Sequence, residues 1–309
     1  MLIVKKFGGS SVANKDRIFN VAKRCIEDYK AGHDVVVVLS AMGDTTDELI
    51  ALANTINPDA KKRELDMLLT TGEQVSVSLM AMAMQALDVP AVSLNAFQVM
   101  MHSTSRYGNA RFKRVDTERI MHELDSRKIV IVTGFQGVNK YDDITTLGRG
   151  GSDTTAVALA AVLHAKKLDA VTYDEMLELA SLGAKVLHNR SVEMAKKYNV
   201  ELVVRSSLNR SEGTVVKEGS NMEKLLVTGV AADKDTVRIS VIGLEDKPGT
   251  AFAVFNTLAA NNINVDIILQ SVGREGTKDI SFTVASEDLQ HALEVLNANK
   301  ERLTIQDIT

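Results

Sequence analysis

The chain has 309 residues, 45% of them hydrophobic and 25% charged, with a formal net charge of −4. That size exceeds one ordinary core and predicts two domains, and the composition excludes an intrinsically disordered chain. No segment concentrates Lys and Arg enough for nucleic acid, no apolar run of about 18 residues suggests a membrane span, and the single Cys25 excludes an internal disulfide. The expectation is a small-molecule partner and, since MLIVKKFGG lacks a signal-peptide layout, a cytoplasmic protein.

In chain order, residues 2–7 (LIVKKF) read as a strand and GGSS as a tight turn. From Asn14 to Ala31 the positions Ile18, Val21, Ala22, Cys25, Ile26 and Tyr29 recur at helical spacing, and Gly32 closes that helix. Cys25 falls on the apolar face, which predicts inert packing. DVVVVLSA is a continuous β-branched run, the pattern of a parallel strand covered on both faces. Helices are predicted near 45–56 and 60–87, with Met80, Met82 and Met84 filling core. A strand at AVSL, a helix at DTERIMHELD, a strand at KIVIVTGF and a helix over 152–165 follow. Residues 173–182 and 190–198 read as helices and VELVVRSS as a strand. This alternation predicts an α/β fold, a mostly parallel sheet with helices on both faces. One strand is missing from the pattern: after helix 152–165, KKLDAV leads directly into the next helical stretch.

The polar stretch NRSEGTVVKEGSNMEK is the predicted boundary, so residues 1–208 form one domain and 209–235 a linker with an unpartnered strand at 225–232. Residues 236–309 read as strand TVRISVIGL, helix GTAFAVFNTLAANN, strands NVDIILQSV and KDISFTVAS, helix EDLQHALEVLNANK and strand RLTIQDI. That order is βαββαβ, a small ferredoxin-like domain.

Four stretches carry candidate chemistry. In KKFGGSS, Lys6 ends a strand and Gly8, Gly9 and Ser10 follow; close-approaching amides and a lysine suit phosphate oxygens, although a plain tight turn is an equal reading. The Lys precedes the glycines, so this is not a Walker loop, and GxGxxG is absent. In LSAMGDTTDEL, Ser40, Thr45 and Thr46 follow a buried strand, where open sheets bind ligands; helix capping by Asp44 or Thr45 is the plainer role. In LTTGEQVS, Glu73 lies just inside a helix start, favoured there by the helix dipole or as an anchor for a substrate ammonium group. TTLGRGGSDTT is the most specific: Arg149 between Gly148, Gly150 and Gly151 suits bidentate grip of a carboxylate, the amides around Ser152 suit an anion, and Asp153 is positioned to fix Lys6 or shape the phosphate site. The six histidines show no metal-ligand spacing, so no metal site is expected, and GxSxG is absent.

Together KKFGGSSV, VVVVLSAMGDTTDELI, TTGEQVSVSLMA, TGFQGV, TTLGRGGSDTTAVALAA, YDEMLELASLGAKVLHNRSVEMAKKYNV and VVRSS resemble the aspartate kinases of the amino-acid-kinase family, and ISVIGLEDKPGTAFAVFNTLAANNINVDIILQSV resembles their first ACT domain. The resemblance implies transfer of the γ-phosphoryl of ATP, with Mg2+, to the β-carboxylate of L-aspartate, the first step toward lysine, threonine and methionine. Lys6 and Asp153 would be catalytic. Lys6, Phe7, Gly8, Gly9, Ser10, Ser40, Gly151, Ser152 and Lys185 would hold nucleotide and phosphate, and Thr46, Glu73, Arg149, Gly150, Gly151 and Ser152 the aspartate. Lysine, threonine or both would act as effectors at Asp246, Pro248, Gly249, Thr250, Val265, Asp266 and Gln270, in a homodimer paired through ACT domains. Two features depart from the family. The nucleotide-binding segment expected after Ala165 is missing between residues 165 and 166, and the second ACT domain expected after TIQDIT is absent. The alternative reading is therefore a catalytically incomplete amino-acid-binding regulator of the same family. A glutamate or acetylglutamate kinase is disfavoured by the pairing of TTGE and GRGGSD with an ACT domain.

Overall fold

The computed structural model describes residues 1–164, 171–172, 187–206, 213–217, 235–261, 263–272 and 277–309. The chain divides into two compact units, Met1–Ala231 and Ala232–Thr309. Unit one runs β1 (Leu2–Phe7), a 3-10 turn (Gly9–Val12), α1 (Lys15–Lys30), β2 (Asp34–Leu39), α2 (Thr45–Ile56), α3 (Lys62–Leu69), α4 (Thr71–Gln85) and β3 (Ala91–Leu94). It continues with β4 (Met101–Ser103), β5 (Phe112–Val115), α5 (Glu118–Asp125), β6 (Ile129–Thr133), β7 (Gln136–Val138), β8 (Ile144–Thr146) and α6 (Gly151–Val162). Then come β9 (Val171–Thr172), α7 (Asn189–Tyr198), β10 (Leu202–Val204) and β11 (Thr214–Lys217).

The main sheet has the order β1-β2-β6-β3, every pair parallel. Alternation along β2 explains its unbroken valine run. Val35, Val37 and Leu39 enter a core with Ile18, Val21, Cys25, Val77, Met80 and Met84 from α1 and α4. Val36 and Val38 enter a second core with Ile120, Leu124, Ala158 and Leu159 from α5 and α6. Both faces are covered, so no position from Val35 to Leu39 faces water. Cys25 is fully buried and burial pushes its thiol up to about 12, which leaves almost no thiolate at neutral pH.

Several expectations need correction. The helix expected over 60–87 is two helices broken at Thr70, whose carbonyl accepts Gln136 Nε2 at 2.7 Å from β7. Met82 is 60% exposed while Met80 and Met84 are buried, because two residues along a helix turn to the far side. The turn after β1 is helical rather than a simple GG turn. VELVVRSS contributes only Leu202–Val204 as strand. A second sheet, β5-β4-β7-β8, was not anticipated, since its strands of three or four residues are too short to show a period. The strand sought after α6 is β9. It pairs in parallel with β11, which itself lies in the stretch read as linker and pairs antiparallel with β10. The helix expected at 173–182, the strand at 225–232, the junction at 165–166 and Lys185 lie outside the described residues.

Unit two runs β12 (Thr236–Glu245), α8 (Thr250–Ala260), β13 (Ile268–Val272), β14 (Thr277–Ala285), α9 (Leu289–Ala298) and β15 (Asp307–Ile308). Its sheet, β13-β14-β12-β15, is antiparallel throughout, so the order is βαββαβ. Ile239, Val241, Val254, Leu258, Phe282 and Leu296 build its core, with Phe255 edge-on to Phe282 at 5.6 Å. Two strands are shorter than expected. β13 starts at Ile268 because Asp266 N and Ile267 N both turn to Thr283, one to its carbonyl and one to its hydroxyl, which breaks the one-to-one register. RLTIQDI yields only Asp307–Ile308, since Leu303 and Ile305 are held by turn bonds to Asn299 and Lys300.

Candidate functional site

The carboxyl ends of β1, β2 and β6 lie side by side, and the loops leaving them meet backbone to backbone. Ser40 N donates to Phe7 O at 3.2 Å, Gly43 N to Gly9 O at 3.0 Å and Gly134 N to Leu39 O at 2.9 Å. Gly9 is required by this approach, since a Cβ there would stand 2.6 Å from Ala41 O. This crevice is where an open parallel sheet presents ligand-binding groups.

Lys6, at the end of β1, pairs with Asp153 in the first turn of α6, Nζ to Oδ1 2.7 Å. The two residues are 147 positions apart, and the expected contact is present. Ser152 is buried against Gly134, where a Cβ would be 2.4 Å from its Oγ. Gly151 opens α6, and Phe7 packs against the α1–α4 core. Gly8 precedes the 3-10 turn with Lys6 Nζ beside it, and the exposed Ser10 gives its carbonyl to the Arg17 guanidinium.

Glu73, in the first turn of α4, is only 3% exposed. Its Oε1 accepts from Ala41 N at 3.0 Å, and Oε2 has no hydrogen-bond partner among the described residues. Burial pushes its carboxyl up to about 7, opposed by the Ala41 bond. A buried carboxylate oxygen left unsatisfied costs free energy unless a ligand donor meets it. Thr46 is half-buried in the first turn of α2, and Arg149 is exposed in the loop between Gly148 and Gly150.

Three residues of this region escaped the sequence reading. His188 caps α7 and lies against Gly150. Burial pushes its imidazole down, with Asp153 pulling the other way and Arg190 and Arg149 adding to the fall. Asp66 and Arg190 grip the end of β8 just before the glycine loop. No motif flags them, because their partners lie dozens of residues away. Gly150 has φ 65°, and a Cβ there would be 2.2 Å from His188 Cβ. Gly150→Ala is therefore expected to cost at least about 1 kcal/mol from left-handed strain alone. The thermal unfolding midpoint, read by calorimetry, falls by several degrees.

In unit two the expected effector residues form two runs. Asp246 pairs with Lys278 at 2.7 Å, and Pro248 leads to Gly249, which has φ 92° and starts α8 at Thr250. Val265 packs on the core, Asp266 Oδ1 accepts from Asn264 Nδ2 at 3.2 Å, and Gln270 lies exposed on the edge strand β13. Among the described residues no group of three His, Cys, Asp or Glu side chains is placed to hold a metal, and no helix is long and apolar enough to cross a membrane.

The sequence model of the amino acid kinase family matches residues 1–172, and that of the ACT domain matches residues 237–301. An aspartokinase of Bacillus sp. (strain MGA3) is 49% identical over 331 aligned residues, which cover 99% of this chain and 80% of the relative. The structure of E. coli aspartokinase III in complex with aspartate and ADP shares the fold, with TM-score 0.80 at 24% identity, covering 100% of this chain and 85% of that one. The same enzyme in complex with lysine and aspartate gives TM-score 0.72 at 25% identity, with the same coverage.

Proposed function

The chain belongs to the amino acid kinase family, among its aspartokinases, and from that membership we propose that it transfers the γ-phosphoryl group of ATP to the β-carboxylate of L-aspartate. The product is 4-phospho-L-aspartate. The observation that carries this reading is Glu73, a buried carboxylate with one oxygen unpartnered among the described residues at the mouth of the sheet. It receives the aspartate ammonium group, and the Arg149 guanidinium takes the α-carboxylate as a two-pronged donor. A β-carboxylate oxygen then attacks the γ-phosphorus as the bond to the bridging β–γ oxygen breaks and ADP departs. The attacking group is already ionised, so the protein needs no base; it supplies position and positive charge. Lys6, steered by Asp153, provides that charge, and the amides of Gly8–Ser10 and Ser152 take phosphate oxygens, while the Gly151 amide is held by Gly148 O at 3.0 Å. Thr46 and Ser40 line the crevice between them. Mg2+ bound to the nucleotide phosphates would add positive charge over the transferring group.

Unit two binds lysine, threonine or both, with the turn Asp246–Thr250 and the run Val265–Gln270 as the pocket. The relative bound to lysine supports that class of effector. The edge strand β13, with Ile268 51% and Leu269 60% exposed, favours pairing with a second copy, and hence a homodimer. The bacterial relatives and the absence of a membrane-crossing helix among the described residues favour the cytoplasm.

A second reading is favoured by one observation. The Bacillus relative aligns over 331 residues, more than the 309 this chain has, so it carries residues this chain lacks. If these fall between residues 165 and 166, the nucleotide half is incomplete and the protein binds amino acids without turnover. Purified 309-residue protein separates the two readings when assayed for aspartate-dependent ADP release alongside calorimetry with aspartate. Turnover supports the kinase, heat without turnover supports the regulator, and neither signal removes both.

A further inference from the structure

Helices α3 and α4 are separated by one residue, Thr70, and Asp66 lies in α3 just before that junction. Asp66 is 1% exposed. Its Oδ2 accepts from Gly108 N and Thr146 N, each at 2.9 Å; its Oδ1 accepts from Gly108 N at 3.0 Å and Thr146 Oγ1 at 2.8 Å. Neutral donors thus satisfy a carboxylate whose pKa burial pushes up. On the other side of the same strand end, Arg190 from α7 donates to Leu147 O at 3.0 Å and to Ala110 O at 2.8 Å, while Ala110 N donates to Thr146 O at 2.8 Å. Residues 146–147 are therefore held by both Asp66 and Arg190, two to three positions before Arg149.

Asp66 also stands seven residues before Glu73, about two helical turns away along nearly continuous helix. The Gln136 bond to Thr70 O keeps the junction between them from shifting. One buried carboxylate thus ties α3, which leads through Thr70 into the helix that carries Glu73, to the end of β8, which leads into the loop that carries Arg149.

We propose that Asp66 is a positioning residue that sets the separation between Glu73 and the Arg149 loop, and so how well the site grips the ammonium and α-carboxylate groups of an amino acid. This rests on the aspartate-binding reading above. Helix α3 is tied to strand β8 through neutral hydrogen bonds of fixed length, and loss of one lets the two anchors drift. Drift of about 1 Å is enough to cost roughly a hundredfold in function. Because both anchors hold groups common to aspartate and glutamate, the drift weakens binding of the two amino acids alike.

The test is calorimetric titration of the full chain with L-aspartate, L-glutamate and ATP separately, for wild type, Asp66→Asn and Thr146→Val. Asp66→Asn keeps one acceptor oxygen. Thr146→Val removes only the 2.8 Å hydroxyl bond and leaves the backbone N–H, so it remains informative if the first variant fails to fold. The expected result is a loss of aspartate affinity of about tenfold or more, an equal loss of any glutamate affinity, and unchanged ATP affinity. A lowered unfolding midpoint with unchanged aspartate affinity overturns the proposal, as does an equal loss for aspartate and ATP. Wild-type protein that takes up ATP but no aspartate overturns the functional reading itself.

Discussion

Lys6→Ala lowers kcat for aspartate-dependent ADP release by about 10²–10³-fold, the effect of removing one preorganised charge from a developing phosphoryl anion. Aspartate affinity, read by calorimetry, stays within a few-fold, because the proposed aspartate anchors are Glu73 and Arg149. The unfolding midpoint moves little. The Lys6–Asp153 pair is partly open to water, with side chains 27% and 13% exposed, and such pairs contribute at most about 1 kcal/mol. Loss of rate without loss of fold separates a phosphate-facing lysine from one that only ties β1 to α6. An unchanged kcat would remove Lys6 from the chemistry.

Glu73→Gln weakens aspartate binding by about a hundredfold at pH 8, since an ammonium group loses the ionised partner it needs in a water-poor site. The pH dependence carries a clearer sign. Burial raises the Glu73 carboxyl to about 7, so below that pH the free site is protonated and ammonium binding must first expel a proton. Wild-type affinity therefore falls as pH drops below about 7, by up to tenfold per unit, while the Gln variant stays flat. Stability of the unliganded protein runs the other way. A folded-state pKa above the unfolded value means its stabilising contribution is full below the ordinary carboxylate range and is lost as pH rises through about 7. Glu73→Gln is thus more stable than wild type at pH 8 and not at pH 4, a reversal that urea titrations at the two pH values detect.

Much of the main sheet can be read directly from residue pattern. The valine run of β2 requires cover on both faces, and the helical spacing from Ile18 to Ile26 supplies one of the covers. Glycine loops at strand ends mark the crevice without any contact information, because only special backbone geometry needs glycine there. The small sheet β5-β4-β7-β8 has no such signature. Its strands are too short for a period, and they pair across gaps of up to dozens of residues. Met82 illustrates the same limit: composition assigns it to the core and helix phase assigns it to solvent.

The candidate site divides along the same line. Lys6, Glu73, Arg149, Ser152 and Asp153 are visible in the chain because each sits in a local context whose chemistry is unusual: a lysine before glycines, a carboxylate at a helix start, an arginine among glycines. The sequence by itself therefore determined the fold class, the βαββαβ order of the second unit and the residue types able to hold an acidic amino acid and phosphate. Only the tertiary structure decided that Glu73 is buried with one oxygen unpartnered among the described residues, that Lys6 reaches Asp153, and that Asp66, Arg190 and His188 surround the strand end and glycine loop. The reason is physical. Local backbone geometry and hydrophobic period act within a few residues of chain, whereas burial and polar pairing depend on groups brought together from 32 to 147 residues away.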